Sequence, residues 1–273
     1  MNIAIFGTGN MGKAVIGGLK KAYGGDVRVV AWDKTPGALE GLADGVEVVG
    51  PSEHEWKTAD FVPDIVIVSV KPADVPELLC DDVAPLIKEH GMNFLTVSVA
   101  AGVSIHAVRL SLGNTARVCR VMPNTPALIG EGMSAYSLSD NCQQSDADLV
   151  EYVFKACGKV VKVAESLMDA VTGLSGSGPA FVYSFIEALA EGGVGAGLSY
   201  KLAIEMAVQT VVGAARMVQT TAEHPSVLRS QVMSPGGTTV KGLEALEQAA
   251  FKSTVMSAVA EAAAQSARMA GKK

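Results

Sequence analysis

The sequence predicts an α/β chain in which an N-terminal doubly wound parallel sheet is followed by an all-helical region. Three observations carry that expectation. Short β-branched runs alternate with helical patterns through the first half. A glycine-rich strand-to-helix turn opens the chain at Gly7–Gly12. Beyond Glu165 the texture changes to long patterns rich in Ala, Gly and Leu, with no convincing strand from Met168 onward. A chain of 273 residues is long enough for two domains, and the change in texture sets them at 1–164 and 165–273.

Taken in order, the expected strands are Asn2–Phe6, Val27–Trp32, Val46–Val49, Ile65–Val70, Asn93–Val99 and Arg117–Met122, with later ones at Met133–Leu138 and Lys159–Val163. Each is a short apolar or β-branched run bounded by turn residues. Helical spacing predicts helices over Met11–Ala22, Val75–His90 and Ser104–Leu112, with Ser104 as N-cap and His90 suiting the dipole at a helix end. In the second half the helices are Pro179–Ala190, Tyr200–Gln219, Thr238–Gln248 and Phe251–Met269. Ala260, Ala263, Ala264 and Ala267 have the spacing that lets helices approach closely. So few charges on such long helices imply apolar faces hidden in another subunit, hence a homo-oligomer.

Composition excludes several classes. The net charge is −6, without the clustered Lys and Arg that nucleic acid requires. No unbroken apolar run approaches the ~20 residues needed to cross a bilayer, so no membrane partner is expected. The first strand begins at about Asn2 and leaves no room for a leader, which predicts a cytoplasmic protein. Cys80, Cys119, Cys142 and Cys157 form no CxxC pair, and His54, His90, His106 and His224 have no ligand spacing. No metal site is expected.

The opening NIAIFGTGNMG is a strand followed at once by Gly7, Thr8, Gly9, Asn10, Met11 and Gly12 and then by a helix. GxGxxG is a weak signal alone, but in this context it marks a Rossmann-type dinucleotide site. Gly7 permits the tight turn, Gly9 lets the backbone approach a pyrophosphate, and Gly12 allows close helix packing. The helix N-terminus then offers unpaired N–H groups to the phosphates. Asp33, 21 positions beyond Gly12, suits ribose hydroxyls and tips the cofactor slightly towards NADH over NADPH. Lys34 and Thr35, which can hold a 2′-phosphate, argue the other way. Asp33 also reads as a plain strand-end turn residue. Val70, Lys71 and Pro72 follow the fourth strand at the sheet's carboxyl edge, and Ala100 lies beside the small residues Val99 and Ala101 at the end of the fifth. A flat nicotinamide ring can pass close to such small side chains.

Three further segments, Met122–Gly132, Gly173–Phe181 and Met233–Thr239, are too rich in Gly, Pro, Ser and Thr for ordinary helix or strand. The last, MSPGGTT, leads straight into a helix. Gly236 and Gly237 can take positive φ, and Ser234, Thr238 and Thr239 add hydroxyls, which together make a nest for a small carboxylate. No general base, metal motif or nucleophile triad accompanies it. Reduction of a protonated imine needs none, because its carbon is already electrophilic.

GTGNMG, VKP at Val70–Pro72, VMPNTPA at Val121–Ala127, AVTGLSGSGPAF at Ala170–Phe181 and MSPGGTT occur in one order along the chain. Together they closely resemble the pyrroline-5-carboxylate reductase family. The resemblance implies a Rossmann domain, an all-helical dimerisation domain, and dimers gathered into larger rings. It implies reduction of 1-pyrroline-5-carboxylate to proline with NADPH or NADH. The substrate carboxylate would be held by Ser234 and the backbone N–H groups of Thr238 and Thr239, with the Thr239 hydroxyl at the ring nitrogen. Glu165 matches a family position near that pocket. Trp32-Asp33 departs from the family's polar Asn or Arg after the second strand, which bears on cofactor choice and not on the reaction. One rival reading is a β-hydroxyacid dehydrogenase, whose pattern GxxGxGxxxKxxxN matches Gly173, Gly176 and Gly178 but meets Val182 and Ile186 at the lysine and asparagine positions. Another is a non-catalytic dinucleotide sensor, which would not need to keep SPGGTT.

Overall fold

The computed structural model describes residues 1–42, 45–49, 61–89, 91 and 93–271; His54 and His90, and with His90 the expected end of its helix, lie outside them. Eight strands form one sheet: β1 (Asn2–Phe6), β2 (Arg28–Trp32), β3 (Val46–Val49), β4 (Ile65–Val68), β5 (Leu95–Ser98), β6 (Arg117–Met122), β7 (Gly132–Leu138) and β8 (Gly158–Lys162). Their spatial order is β3-β2-β1-β4-β5-β6-β7-β8. The order reverses beside β1, which gives the doubly wound topology.

The central strands are apolar on both faces because helices cover both faces. Ile3 and Ile5 of β1 point into one layer with Val15 and Leu19 of α1 (Asn10–Tyr23). Ala4 and Phe6, the alternate positions, join the opposite layer with Val66, Val68, Ile105 and Val108. One pairing departs from the expected parallel sheet: β7 runs antiparallel to β6. Only residues 123–131 connect them, and a parallel crossover needs about a dozen residues or more. The connection turns back through a 3-10 turn, Thr125–Ile129, instead.

The single helix expected from Val75 is broken into α2 (Val75–Leu78), a π turn (Leu79–Val83) and α3 (Ala84–Glu89). Pro85 supplies the reason: it has no N–H, and its ring would strike the carbonyl four residues back. α4 (Ile105–Leu112) begins as expected, with the Ser104 hydroxyl accepting from the Ala107 N–H. α5 (Gln144–Lys155) was not expected. It starts with a reciprocal cap in which Asp146 accepts from the Gln143 N–H, and it buries Ala147, Val150, Val153 and Phe154. The Gly173–Phe181 segment is helical after all, running from α6 (Met168–Val171) through a π turn at Thr172–Gly176 into α7 (Gly178–Gly195). α8 (Tyr200–Thr221), α9 (Pro225–Gln231), α10 (Thr238–Gln248) and α11 (Phe251–Met269) complete the chain.

The chain divides into two compact units, Met1–Ser177 with Glu261–Lys273, and Gly178–Ala260. In the first, the end of α11 is tied to α6 by a hydrogen bond from the Ser266 hydroxyl to Asp169. In the second, α7 packs on α8 around Ala190, Ala203 and Ala207, and Gly193 admits Ala203 closely enough that a Cβ there would lie 3.2 Å from it. Large apolar side chains of this unit stay uncovered, Tyr183 at 59% and Met256 at 71% exposure among them.

Candidate functional site

The glycine turn is built from close approaches. Gly7 has φ +93°, and a Cβ on it would sit 2.6 Å from the Ser69 carbonyl oxygen just beyond β4. A Cβ on Gly12 would collide with the carbonyl oxygen of Gly7, so Gly12 keeps the turn tight against itself. Gly9 differs, because the space where its side chain would be is empty. It is also the N-cap of α1, and no side chain caps that end. The helix start at Asn10, Met11 and Gly12 therefore presents backbone N–H groups beside open space, which fits a pyrophosphate.

Two expected cofactor residues face inward. Thr8 is fully buried; its hydroxyl, with one proton to donate, lies 2.9 Å from the Ala38 carbonyl oxygen and 3.2 Å from Asp33 Oδ2. Asp33 Oδ2 also accepts the Thr8 N–H at 2.7 Å, and Oδ1 accepts the Thr35 N–H at 2.9 Å. The carboxylate thus ties the end of β2 to the glycine turn and keeps spare lone pairs for a ribose. Lys34 is exposed and pairs with Asp74 at 3.1 Å. Trp32, Lys34 and Val70 line a cleft of about 410 Å³ with Asp74, Glu77, Asp81 and Asp82. Lys71 precedes the 3-10 turn Pro72–Asp74, and Ala100 is buried just after β5. The structure thus places Gly7, Gly9, Gly12, Asp33, Lys34 and Val70 along the carboxyl edge of β1, β2 and β4.

In the other unit, the SPGGTT turn leads into α10. Gly236 has φ +70°, as expected, but Gly237 is extended at φ −73°. Gly237 is needed for a different reason: a Cβ there would run into the Ser234 hydroxyl. Its N–H donates to the Ser234 carbonyl at 2.9 Å, closing the turn. Gly237 is the N-cap of α10 and no side chain caps it, so the Thr238 and Thr239 N–H groups open the helix beside the exposed Ser234 and the half-buried Thr239. This is a second glycine-capped helix start, suited to a small anion.

Glu165 lies in the first unit with its side chain 34% exposed. Its Oε1 accepts the Ile105 N–H at the start of α4 at 2.7 Å and stands 3.7 Å from Nη1 of Arg120. Arg120 was missed by sequence reasoning, because an arginine in an apolar strand signals nothing until its burial is known. Asn124 was missed as a single residue too: it donates to the Ser175 carbonyl and accepts the Met133 N–H. A Cβ on Gly176 would lie 2.7 Å from Met122 Cε. Two of the Gly- and Pro-rich segments are therefore packed on each other. Among the described residues, no group of three His, Cys, Asp or Glu side chains is placed to hold a metal ion, and no helix is long and apolar enough to cross a membrane.

Two known families match successive stretches of the chain. Residues 165–269 match the family described as pyrroline-5-carboxylate reductase dimerisation, and residues 2–102 match that described as NADP oxidoreductase, coenzyme F420-dependent. The chain is 46% identical to a pyrroline-5-carboxylate reductase of Arabidopsis thaliana over 81% of this chain and 77% of that one. It is 34% identical to that of Escherichia coli, over 98% and 97%. Among solved structures, a pyrroline-5-carboxylate reductase from Coxiella burnetii superposes with a TM-score of 0.89 at 28% identity, covering 100% and 98% of the two chains. A pyrroline carboxylate reductase from Plasmodium falciparum with NADP bound gives 0.84 at 31% identity, covering 99% and 98%.

Proposed function

The chain belongs to the pyrroline-5-carboxylate reductase family, and from that premise we propose how its own residues serve the reaction. It is an NAD(P)H-dependent oxidoreductase that reduces the C=N bond of 1-pyrroline-5-carboxylate to give L-proline. When bound, the nicotinamide supplies the hydride. The backbone N–H groups at Asn10–Gly12 hold the pyrophosphate, Asp33 and Lys34 border the adenosine ribose, and Val70, Lys71 and Pro72 flank the bound dinucleotide. The small Ala100 lets the flat ring lie close to the sheet edge.

For the substrate, the Ser234 hydroxyl and the Thr238 and Thr239 N–H groups grip the carboxylate, while Gly236 and Gly237 set the turn that aims them. The Thr239 hydroxyl holds the ring nitrogen and its proton, and Glu165 is proposed for the substrate pocket on its match to a family position. No general base is required, because a protonated imine asks for orientation above all. The observation that carries this reading is the second uncapped, glycine-initiated helix start at α10 in a chain whose α1 already serves the dinucleotide. The β-hydroxyacid alternative fails on the residues: at the positions of its acid–base lysine and its asparagine stand Val182 and Ile186, and Ile186 packs into the helical core.

Residues 165–273 are proposed as the dimerisation and substrate-holding domain, with dimers gathered into a ring. The four free cysteines fit a cytoplasmic setting. The test is to follow NADH and NADPH absorbance with 1-pyrroline-5-carboxylate, then with hydroxyisobutyrate and NAD. Turnover of the imine alone is expected; binding of the dinucleotide without turnover would leave a sensor. In Thr239→Ala, kcat is expected to fall by about 10²-fold, the usual worth of a positioned proton-holding group, with cofactor affinity kept. Unchanged kinetics would remove Thr239 from the mechanism.

A further inference from the structure

Arg120 is the largest fully buried side chain among the described residues, at 2% exposure. It lies in β6 between Ser98 of β5 and Ser137 of β7, and these small neighbours leave room for its length. Alternation along β6 puts it on the side of Val118, in the layer that holds Ile105 and Val108 of α4. A guanidinium does not lose its proton in a protein, so a full charge is buried there. Among the described residues, neither Nη1 nor Nη2 has a hydrogen-bond partner. Its ion pair with Glu165, at 3.7 Å, is too long for a hydrogen bond.

Glu165 meets two positive ends at once. The same Oε1 that faces Arg120 accepts the Ile105 N–H, and the start of α4 carries the positive end of the helix dipole. Without the carboxylate, a buried cation and a helix N-terminus would face each other uncompensated. Buried ion pairs are poor sources of stability, since an apolar replacement often does as well or better. A stability role therefore does not account for Arg120, whereas fixing the position of an element does. The element in question is the turn just before α4. It leaves β5 at Ala100, takes φ +77° at Gly102, and closes with the Val103 N–H on the Ala100 carbonyl.

We propose that Arg120 is a positioning residue for the reaction: through Glu165 it holds the start of α4, and so the Ala100–Ser104 turn, at the place where the nicotinamide ring rests. This builds on the proposed function for the location of the ring. The phosphates are held elsewhere, at α1, so the brace governs the reacting end and not overall cofactor affinity.

The experiment compares Arg120→Met, Arg120→Lys and Glu165→Gln with the wild-type protein. It measures kcat with 1-pyrroline-5-carboxylate, dissociation constants for NADH and NADPH by fluorescence, and thermal midpoints. Arg120→Met and Glu165→Gln are expected to lose kcat by ~10-fold or more, as a displacement of about 1 Å at a reacting centre does, with cofactor dissociation constants moving less than about threefold. Arg120→Lys, which keeps a cation opposite Glu165, is expected to regain part of the loss. An unchanged kcat in folded Glu165→Gln overturns the proposal, and so does a parallel loss of kcat and cofactor affinity. If Arg120→Met does not fold, the Lys and Gln variants carry the test. Failure of the wild-type protein to reduce the imine would instead sink the proposed function. The brace would then still be read from thermal midpoints in the Arg120→Met/Glu165→Gln cycle, where coupling is expected and strict additivity overturns it.

Discussion

Glycines of one motif do different work, and single substitutions separate them. Gly12→Ala puts a methyl into the Gly7 carbonyl, so both the thermal midpoint and dinucleotide binding are expected to fall. Gly9→Ala meets nothing in the free protein, so its midpoint should fall only by about 2–4 °C, the cost of a poorer N-cap residue. Cofactor affinity should drop at least tenfold, because the methyl occupies the approach of the pyrophosphate. Calorimetry and fluorescence titration check both. Asp33 is expected to bear on cofactor choice. A 2′-phosphate beside it would also face a cleft bearing Asp74, Glu77, Asp81 and Asp82, against Lys34, which is itself paired with Asp74. Asp33→Ser is expected to raise the NADPH-to-NADH ratio of kcat/KM by about tenfold, the worth of one unit charge near a phosphate at a solvated site. An unmoved ratio would make Asp33 a loop tie only. Thiol chemistry is also decided residue by residue. Burial pushes the Cys157 thiol up to about 11 and holds that of Cys119 well above its ordinary value, whereas Cys80 is exposed. At pH 8, iodoacetamide is expected to label Cys80 ahead of both in the native protein, read by mass spectrometry.

At the scale of elements, α5 offers the sharpest test of what holds the sheet's far side. Asp146 is fully buried, caps the helix and pairs with Arg117 of β6. Asp146→Ala removes cap and partner together, and a loss of roughly 3 kcal/mol is expected from denaturant unfolding, as for other broken buried pairs. The strands were readable from the sequence because β1, β2 and β4 are buried on both faces and spell short, nearly unbroken apolar runs. α5 was not, because Asp and Glu interrupt its apolar positions and its N-cap is Gln143, a residue rarely used there. The break after Leu78 was half readable: Pro85 announces trouble, but a π turn in place of a stop depends on the burial of Leu79 and Val83. The glycine turn and SPGGTT were readable because backbone geometry restricts them to few residue types. The inward ties of Thr8 and Asp33 span 25 positions, and the Arg120–Glu165 pair spans 45. Pairings at such separations have no local signature.

For the whole molecule, the second unit's uncovered Tyr183, Met206 and Met256 set the expectation. Apolar side chains of that size left in water would make a poorly soluble monomer. Sedimentation at micromolar concentration is expected to show no monomer, and a clean monomer would overturn the homo-oligomer. Trp32 has a practical consequence. It is one of two tryptophans in the chain and lines the cleft beside Lys34 and Val70. With the other replaced, as in Trp56→Phe, indole emission becomes an intrinsic gauge of dinucleotide docking: a reduced nicotinamide absorbs where indole emits, so occupancy dims the signal without dye, label or turnover.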